Sequence, residues 1–332
     1  MKLEQVAPGI HRIESDIGLR FVAQYLLVGA ERTVLVDTGL ASTPDEALLP
    51  ALAELGAQPD LIVISHADLD HCGGDRRMRD RYPRALFACH ELDRRWIESN
   101  ATMLAENYLW HEPYGLAEPD DQGRREMLAH LGGDAPIDLG LRGGETIQIE
   151  PRRRLEVVHL PGHSPGHIGL WDPKHRVAMI IDAVLYDGIY DRAGTKLIPP
   201  RYYNAAAYRE TIRRVRALEP ELLLTAHYDP MSRDASIEFC ERSLGHVDAV
   251  EAIVRAGHSA GEVGLRELTD RVNAELGPFP EFATEIAAGV RSHLASLEPS
   301  TSELGPAGLA VPDQEPLRTD AQGSSPETST RP

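Results

Sequence analysis

Four short apolar runs in this chain each end on a histidine or an aspartate. Leu61-Ile62-Val63-Ile64 leads into Ser65-His66-Ala67-Asp68-Leu69-Asp70-His71. Val157-Val158-His159-Leu160 leads into Pro161-Gly162-His163, Met179-Ile180-Ile181 into Asp182, and Leu222-Leu223-Leu224-Thr225-Ala226 into His227. Short all-apolar runs of this kind read as strands buried on both faces. Sheets with parallel strands gather ligand sites at the carboxyl ends of those strands. The residues delivered here are imidazoles and carboxylates, which are ligands for zinc or iron. Asp68, Asp70 and Asp182 crowded together without a cation would repel one another.

The remaining pattern is that of an α/β chain. Residues 10–13, 21–28 and 33–36 read as strands, with Gly29-Ala30-Glu31-Arg32 as the turn before the last. Helical spacing covers 44–55, with Ser42 or Thr43 as its cap. In the second half, 146–149, 155–158, 168–171, 177–181 and 221–225 are strand-like, and 202–218 is helical. Strand-rich halves interrupted by helices imply a sheet core covered by helices. Residues 1–231 are read as the catalytic unit. Within it, 101–133 forms a helical insertion between the halves, a candidate lid whose Tyr108, Trp110 and Tyr114 could line an apolar pocket. Residues 232–297 read as helical in three segments. Residues 298–332, rich in Pro, Ser, Thr, Gly and Glu, read as a disordered tail.

The 332 residues carry 34 Lys+Arg against 52 Asp+Glu, a net charge of −18. That excess argues against nucleic acid and against an anionic membrane surface as partners. No apolar run approaches the ~18 residues of a membrane span. The opening Met1-Lys2-Leu3-Glu4-Gln5-Val6-Ala7-Pro8 has no apolar signal region. The cytoplasm is the expected location, with Cys72, Cys89 and Cys240 as reduced thiols.

The segment from His66 to His71 is the densest in potential ligands. In extended backbone His66, Asp68 and Asp70 point to one side. Cys72-Gly73-Gly74 lets the chain turn, and 75–82 can then form a short helix. Four potential ligands within six residues suggest two metals sharing the loop. The whole ordered set resembles the metallo-β-lactamase superfamily, whose hallmark is His-x-His-x-Asp-His followed by a separate His, an Asp and a final His. Here these are His66-Ala67-Asp68-Leu69-Asp70-His71, His163, Asp182 and His227, and Val34-Leu35-Val36-Asp37-Thr38-Gly39 matches a further family feature. The resemblance spans roughly residues 6–230. It implies an α/β four-layer αββα sandwich with a helical insertion and a C-terminal helical appendage. It implies that one metal takes His66, His163 and the position of Asp68, that the second takes Asp70, His71 and His227, and that Asp182 bridges them. Asp37 would orient a ligand imidazole. His167 is read as structural, and Cys72 is set aside as a ligand because imidazoles and carboxylates fill the site.

Asp68 is the departure, since the family pattern has His there. Two divalent ions (+4), three aspartates (−3) and a hydroxide (−1) sum to zero, where a histidine would leave +1. Zinc is the expected metal, two ions per chain. The harder donor set also makes iron or manganese plausible. The resemblance implies hydrolysis of a carbonyl substrate (lactone, ester or thioester) by a metal-bound hydroxide. An iron-dependent oxidoreductase and a non-catalytic metal-retaining binding protein are the other readings. Asp70 is the candidate for orienting the hydroxide, and Tyr186 or Tyr228 for protonating the leaving group. A small-molecule substrate is expected, and apolar faces of the C-terminal helices could pair two copies into a homodimer.

Overall fold

The structure is a computed structural model and describes residues 1–116, 119–261 and 264–297. The tail expected over 298–332 lies outside the described residues. The first half forms a seven-stranded sheet in chain order: β1 (Lys2–Ala7), β2 (Ile10–Ile17), β3 (Arg20–Val28), β4 (Thr33–Val36), β5 (Leu61–Val63), β6 (Leu86–His90) and β7 (Leu139–Leu141). Strands β1 to β4 are antiparallel, and β4 to β7 are parallel. The second half supplies β8 (Thr146–Glu150), β9 (Arg153–His159), β10 (Ile168–Asp172), β11 (Val177–Ile181), a small ribbon of β12 (Ile189–Tyr190) with β13 (Lys196–Ile198), then β14 (Leu222–Thr225) and β15 (Met231–Ser232). Its main sheet is ordered β15-β14-β11-β10-β9-β8, with β11 and β14 parallel.

Strand alternation assigns the layers. On β4, Val34 and Val36 face the second sheet, and on β11 Met179 and Ile181 face the first; with Tyr25, Val157 and Leu224 they form the core between the sheets. Leu35 points the other way, onto Leu48 at the end of the helical turn Pro44–Leu48, Leu52 of helix Leu49–Glu54 and Met78 of helix Asp75–Arg81. Ala178, Ile180 and Leu223 likewise face Ile212 and Val215 of helix Ala205–Ala217 and Phe239 of helix Arg233–Ser259. Helix, sheet, sheet, helix is the αββα order. Helices Arg233–Ser259, Leu265–Leu276 and Ile286–Leu297 converge on Val254, Leu268, Val272 and Val290, with Leu116 from the insertion packed among them. No helix of the described residues is long and apolar enough to cross a membrane.

The sequence reading passed over β1, β6, β7, β12, β13 and β15. Strand β6 is Leu-Phe-Ala-Cys-His, whose Ala and Cys carry little strand preference. The helix read over 202–218 starts only at Ala205, because the Asn204 side chain accepts from Ala207 N and caps it.

Gly162, just before His163, marks where a loop and this helix meet. Its φ is +133°, and a Cβ there would lie 2.5 Å from Tyr208 Cα and 2.6 Å from Tyr208 N. Gly162→Ala therefore strains the backbone and pushes against the helix. The expected loss is about 2 kcal/mol or more of stability, seen as a lower Tm, together with weaker metal binding because His163 moves with the loop.

Candidate metal centre

The exits of β5, β9, β11 and β14 converge at one edge of the sandwich. The loop after β5 carries His66 and Asp68, and a one-turn helix, Leu69–Cys72, adds Asp70 and His71. The loop after β9 brings His163, and the ends of the parallel pair β11 and β14 bring Asp182 and His227. Ligand atoms of His66, Asp68 and His163 lie within 4.8 Å of one another, as do those of His66, His71 and Asp182, and of Asp70, His71 and His227. All seven residues expected as ligands thus surround one place. Asp182 Oδ2 is 3.3 Å from His71 Nε2 and 3.1 Å from His227 Nε2. Asp68 Oδ2 is 3.4 Å from His66 Nε2 and 3.3 Å from His163 Nε2.

Hydrogen bonding on the far side of each ring determines what these distances mean. His163 Nδ1 is 2.9 Å from the Arg201 carbonyl, and His227 Nδ1 is 2.9 Å from the Phe21 carbonyl. A carbonyl only accepts, so each Nδ1 carries the proton. His71 Nδ1 donates to Asp37 Oδ2 at 2.9 Å. Ser65 Oγ donates to that same carboxylate at 2.8 Å, so it accepts from His66 Nδ1 at 2.9 Å. In the neutral rings all four Nε2 atoms are therefore lone pairs, and each faces a carboxylate oxygen. Acceptors aimed at acceptors across little more than 3 Å need a positive charge between them, either a proton on the ring or a metal ion. His66 Nε2, His71 Nε2 and Asp182 Oδ1 are buried without a hydrogen-bond partner. An imidazole and carboxylate donor set with open lone pairs fits a divalent metal ion.

The electrostatics point the same way. Burial alone would lower the pKa of His71, but Asp182 and Asp70 reverse it and hold it well above the ordinary imidazole value. His227 is raised against its own burial, chiefly by Asp182. Burial would raise Asp182, yet His227 and His71 keep it well below the carboxylate range. His66 is pulled down to about 4, first by burial and then by the charge of His71.

Other side chains hold the loops in register. Asp37, at φ +64° after β4, accepts from Ser65 N at 2.7 Å as well as from Ser65 Oγ and His71. Buried Asp93 ties the two ligand loops together, accepting from Ala67 N at 3.2 Å, Ser164 Oγ at 2.5 Å and Gly166 N at 2.6 Å. Asn107 of the insertion donates to Ala67 O at 2.6 Å. Tyr25 of β3 donates to Thr225 O at 2.5 Å, just ahead of His227. Asp93 follows β6, a strand not read from sequence, so nothing marked it. Arg201 and Glu285 carried no motif signal either, yet Arg201 pairs with Asp68 and with Glu285, the latter at 3.3 Å.

Several expected roles are not met by the geometry. Neither Tyr186 nor Tyr228 lines the cleft above the ligands. The Tyr228 hydroxyl donates to Gly188 O at 2.9 Å, and both rings pack on Phe239 under helix Arg233–Ser259. Of the insertion's aromatics only Tyr108 reaches the cleft, donating its hydroxyl to Asp68 and accepting from Leu69 N at 3.0 Å. Trp110 packs near Tyr203 and Arg291, and Tyr114 is exposed. The Cys72 thiol turns to Asp68 O at 3.1 Å, away from the ligand groups, and burial keeps it protonated. His167 stacks on His66 with ring centroids 4.6 Å apart and joins no ligand group. The three cysteines are buried and unbridged.

The cleft encloses about 520 Å³, open solvent included, with Leu185, Ile189, Ile198, Pro199 and Phe282 as its apolar wall. Arg20 and Arg201 also line it, and each is engaged by a glutamate from the C-terminal region, Glu281 at 3.2 Å and Glu285 at 3.3 Å.

The chain belongs to the metallo-beta-lactamase superfamily, whose family model matches residues 17–227. Among curated proteins it is 31% identical over 173 residues to the acyl-coenzyme A thioesterase MBLAC2 of Gallus gallus, covering 49% of this chain and 57% of that one. It is 26% identical over 144 residues to the hydroxyacylglutathione hydrolase GloC of Haemophilus influenzae, covering 43% of this chain and 58% of that one. The matches thus span somewhat over half the length of these two relatives. Among solved structures, a metallo-beta-lactamase family protein of Thermus thermophilus shares the fold with a TM-score of 0.64 at 23% identity, over 88% of this chain and 94% of that one.

Proposed function

We propose that this chain is a metal-dependent hydrolase of thioesters, with esters as the secondary substrates. The observation that carries the metal dependence is the set of four Nε2 lone pairs facing Asp68 and Asp182. His66, Asp68 and His163 would hold one ion, Asp70, His71 and His227 the other, with Asp182 shared. Zinc suits the imidazoles, and the aspartates also admit iron or manganese. Bound there, divalent ions supply activated water at neutral pH and polarise a carbonyl.

The chain's own groups favour a thioester. The apolar wall offers a surface for an acyl chain, and the two arginines of the cleft are each occupied by a glutamate. An amide leaving group needs a proton delivered to it. Here the one tyrosine that lines the cleft, Tyr108, already gives its proton to Asp68, and its pKa is raised well above the usual phenol value by burial and then by Asp68. A thiol of ordinary pKa, about 8.5, departs as thiolate without such an acid. The thioesterase among the similar proteins supports the same reading. Asp70 also lines the cleft, which supports its role in orienting the attacking water.

Steady-state kinetics of the metal-loaded protein test this. An acyl thioester is expected to exceed a β-lactam by at least about 100-fold in kcat/KM, some 2.7 kcal/mol of transition-state discrimination. Preference for the β-lactam, or for a phosphodiester, would overturn the assignment.

A further inference from the structure

We infer that the two halves of the metal centre are unequal: Arg201 supplies a built-in positive charge to the His66, Asp68 and His163 side, so the Asp182 side takes a divalent ion first and far more tightly. This rests on the metal reading above. The Asp68 oxygen that faces both imidazole lone pairs, Oδ2, is the one bonded by the Arg201 guanidinium. The other oxygen, Oδ1, accepts from Tyr108. Both oxygens of the carboxylate therefore have donors before any ion arrives.

Arg201 is fixed where it is. Its side chain is 6% exposed, and its second guanidinium nitrogen lies 3.3 Å from Glu285. The guanidinium carbon sits 5.4 Å from the Tyr108 ring centre and 5.6 Å from that of Tyr203. Its own carbonyl receives the His163 Nδ1 proton at 2.9 Å. The residue that orients His163 thus also neutralises Asp68. An ion entering this side must share Oδ2 with a cation or displace it, and like charges that close repel. The other side differs. Among the described residues Asp70 and Asp182 form ion pairs with His71 and His227 only, and no Lys or Arg reaches either carboxylate. There no fixed Arg or Lys charge stands beside the carboxylates, so an entering metal ion meets none of that repulsion.

The test reads binding alone. Metal-free protein is dialysed against graded zinc or cobalt(II), and bound metal is measured by atomic absorption. One tight equivalent is expected, with a second about 10- to 100-fold weaker, the scale on which engaging a ligand's partners alters affinity. His227→Ala should remove the tight event, and His163→Ala should leave it. Two independent changes should raise the second ion to near parity. Asp68→His puts an imidazole where Arg201 cannot pair with it, and Arg201→Met with Glu285→Gln removes the cation without stranding its glutamate. Each variant is checked by circular dichroism and a melt. Two equal ions in the unaltered protein would overturn the inference, as would folded variants whose second ion stays weak, or loss of the tight event in His163→Ala alone. Binding of no ion at all would instead overturn the metal reading itself, and this inference with it.

Discussion

Asp182→Ala is expected to give a folded protein without the tight metal binding and the thioester hydrolysis proposed for this chain. The carboxylate stands at the end of β11, held between His71 and His227 at 3.3 and 3.1 Å, with its second oxygen buried and unpartnered. Removing it takes away the negative charge that draws a cation to both imidazole lone pairs. The acceleration a bound ion gives amounts to several kcal/mol, so kcat/KM should fall by about 10³-fold or more. The fold should survive, because Met179 and Ile181 still fill the core between the sheets and Ile180 the outer layer. Metal content, kcat/KM and a thermal melt on one preparation separate these effects. Retained turnover with retained metal would show that the shared position belongs to another group.

Much of this centre was legible because its residues are the ends of apolar runs. A buried strand must stop where it meets solvent, and a polar side chain at that point is written directly into the sequence. His66, His163, Asp182 and His227 could be read this way, whereas Asp37 entered through the family resemblance. The same runs implied a sheet core covered by helices, since strands without an exposed face must be covered on both sides, while the αββα layering was what the resemblance to the superfamily implied. What could not be read depends on long-range approach. Arg201 meets Asp68 from 133 positions away, and Glu285 meets Arg201 from a segment that looks merely helical. Neither sits in a local pattern, so spacing carried no trace of them. Tyr186 and Tyr228 failed as leaving-group acids for the converse reason: nearness in sequence to Asp182 and His227 does not fix the side of the sheet. Their rings fall in the outer layer with Phe239, whereas the ligands cluster at the sheet edge. Tyr108, weighed only as a pocket aromatic, is the tyrosine whose hydroxyl meets Asp68, a candidate ligand.

Asp37→Asn separates folding from metal binding more sharply than any truncation. Asp37 Oδ1 accepts from Ser65 N at 2.7 Å, and a backbone amide can only donate, so the asparagine carbonyl must take that position. The amide nitrogen then falls where Oδ2 was, facing His71 Nδ1 and Ser65 Oγ. It is a donor, so His71 must accept at Nδ1 and carry its proton on Nε2 instead. A protonated Nε2 has no lone pair to offer a metal. Size and backbone conformation are unchanged, since asparagine tolerates the left-handed region that Asp37 occupies at φ +64°. Asp37→Asn is therefore expected to melt within a few degrees of the unaltered protein while losing at least about 10- to 100-fold in metal affinity, as outer partners of ligand histidines do, with activity falling in parallel. Asp37→Ala should lose both, because Ser65 N–H and His71 Nδ1–H are then left buried without acceptors at about 1–3 kcal/mol each. A folded Asp37→Asn protein with undiminished metal affinity would show that the proton on His71 is not set by Asp37, and the lone-pair account of the centre would fail with it.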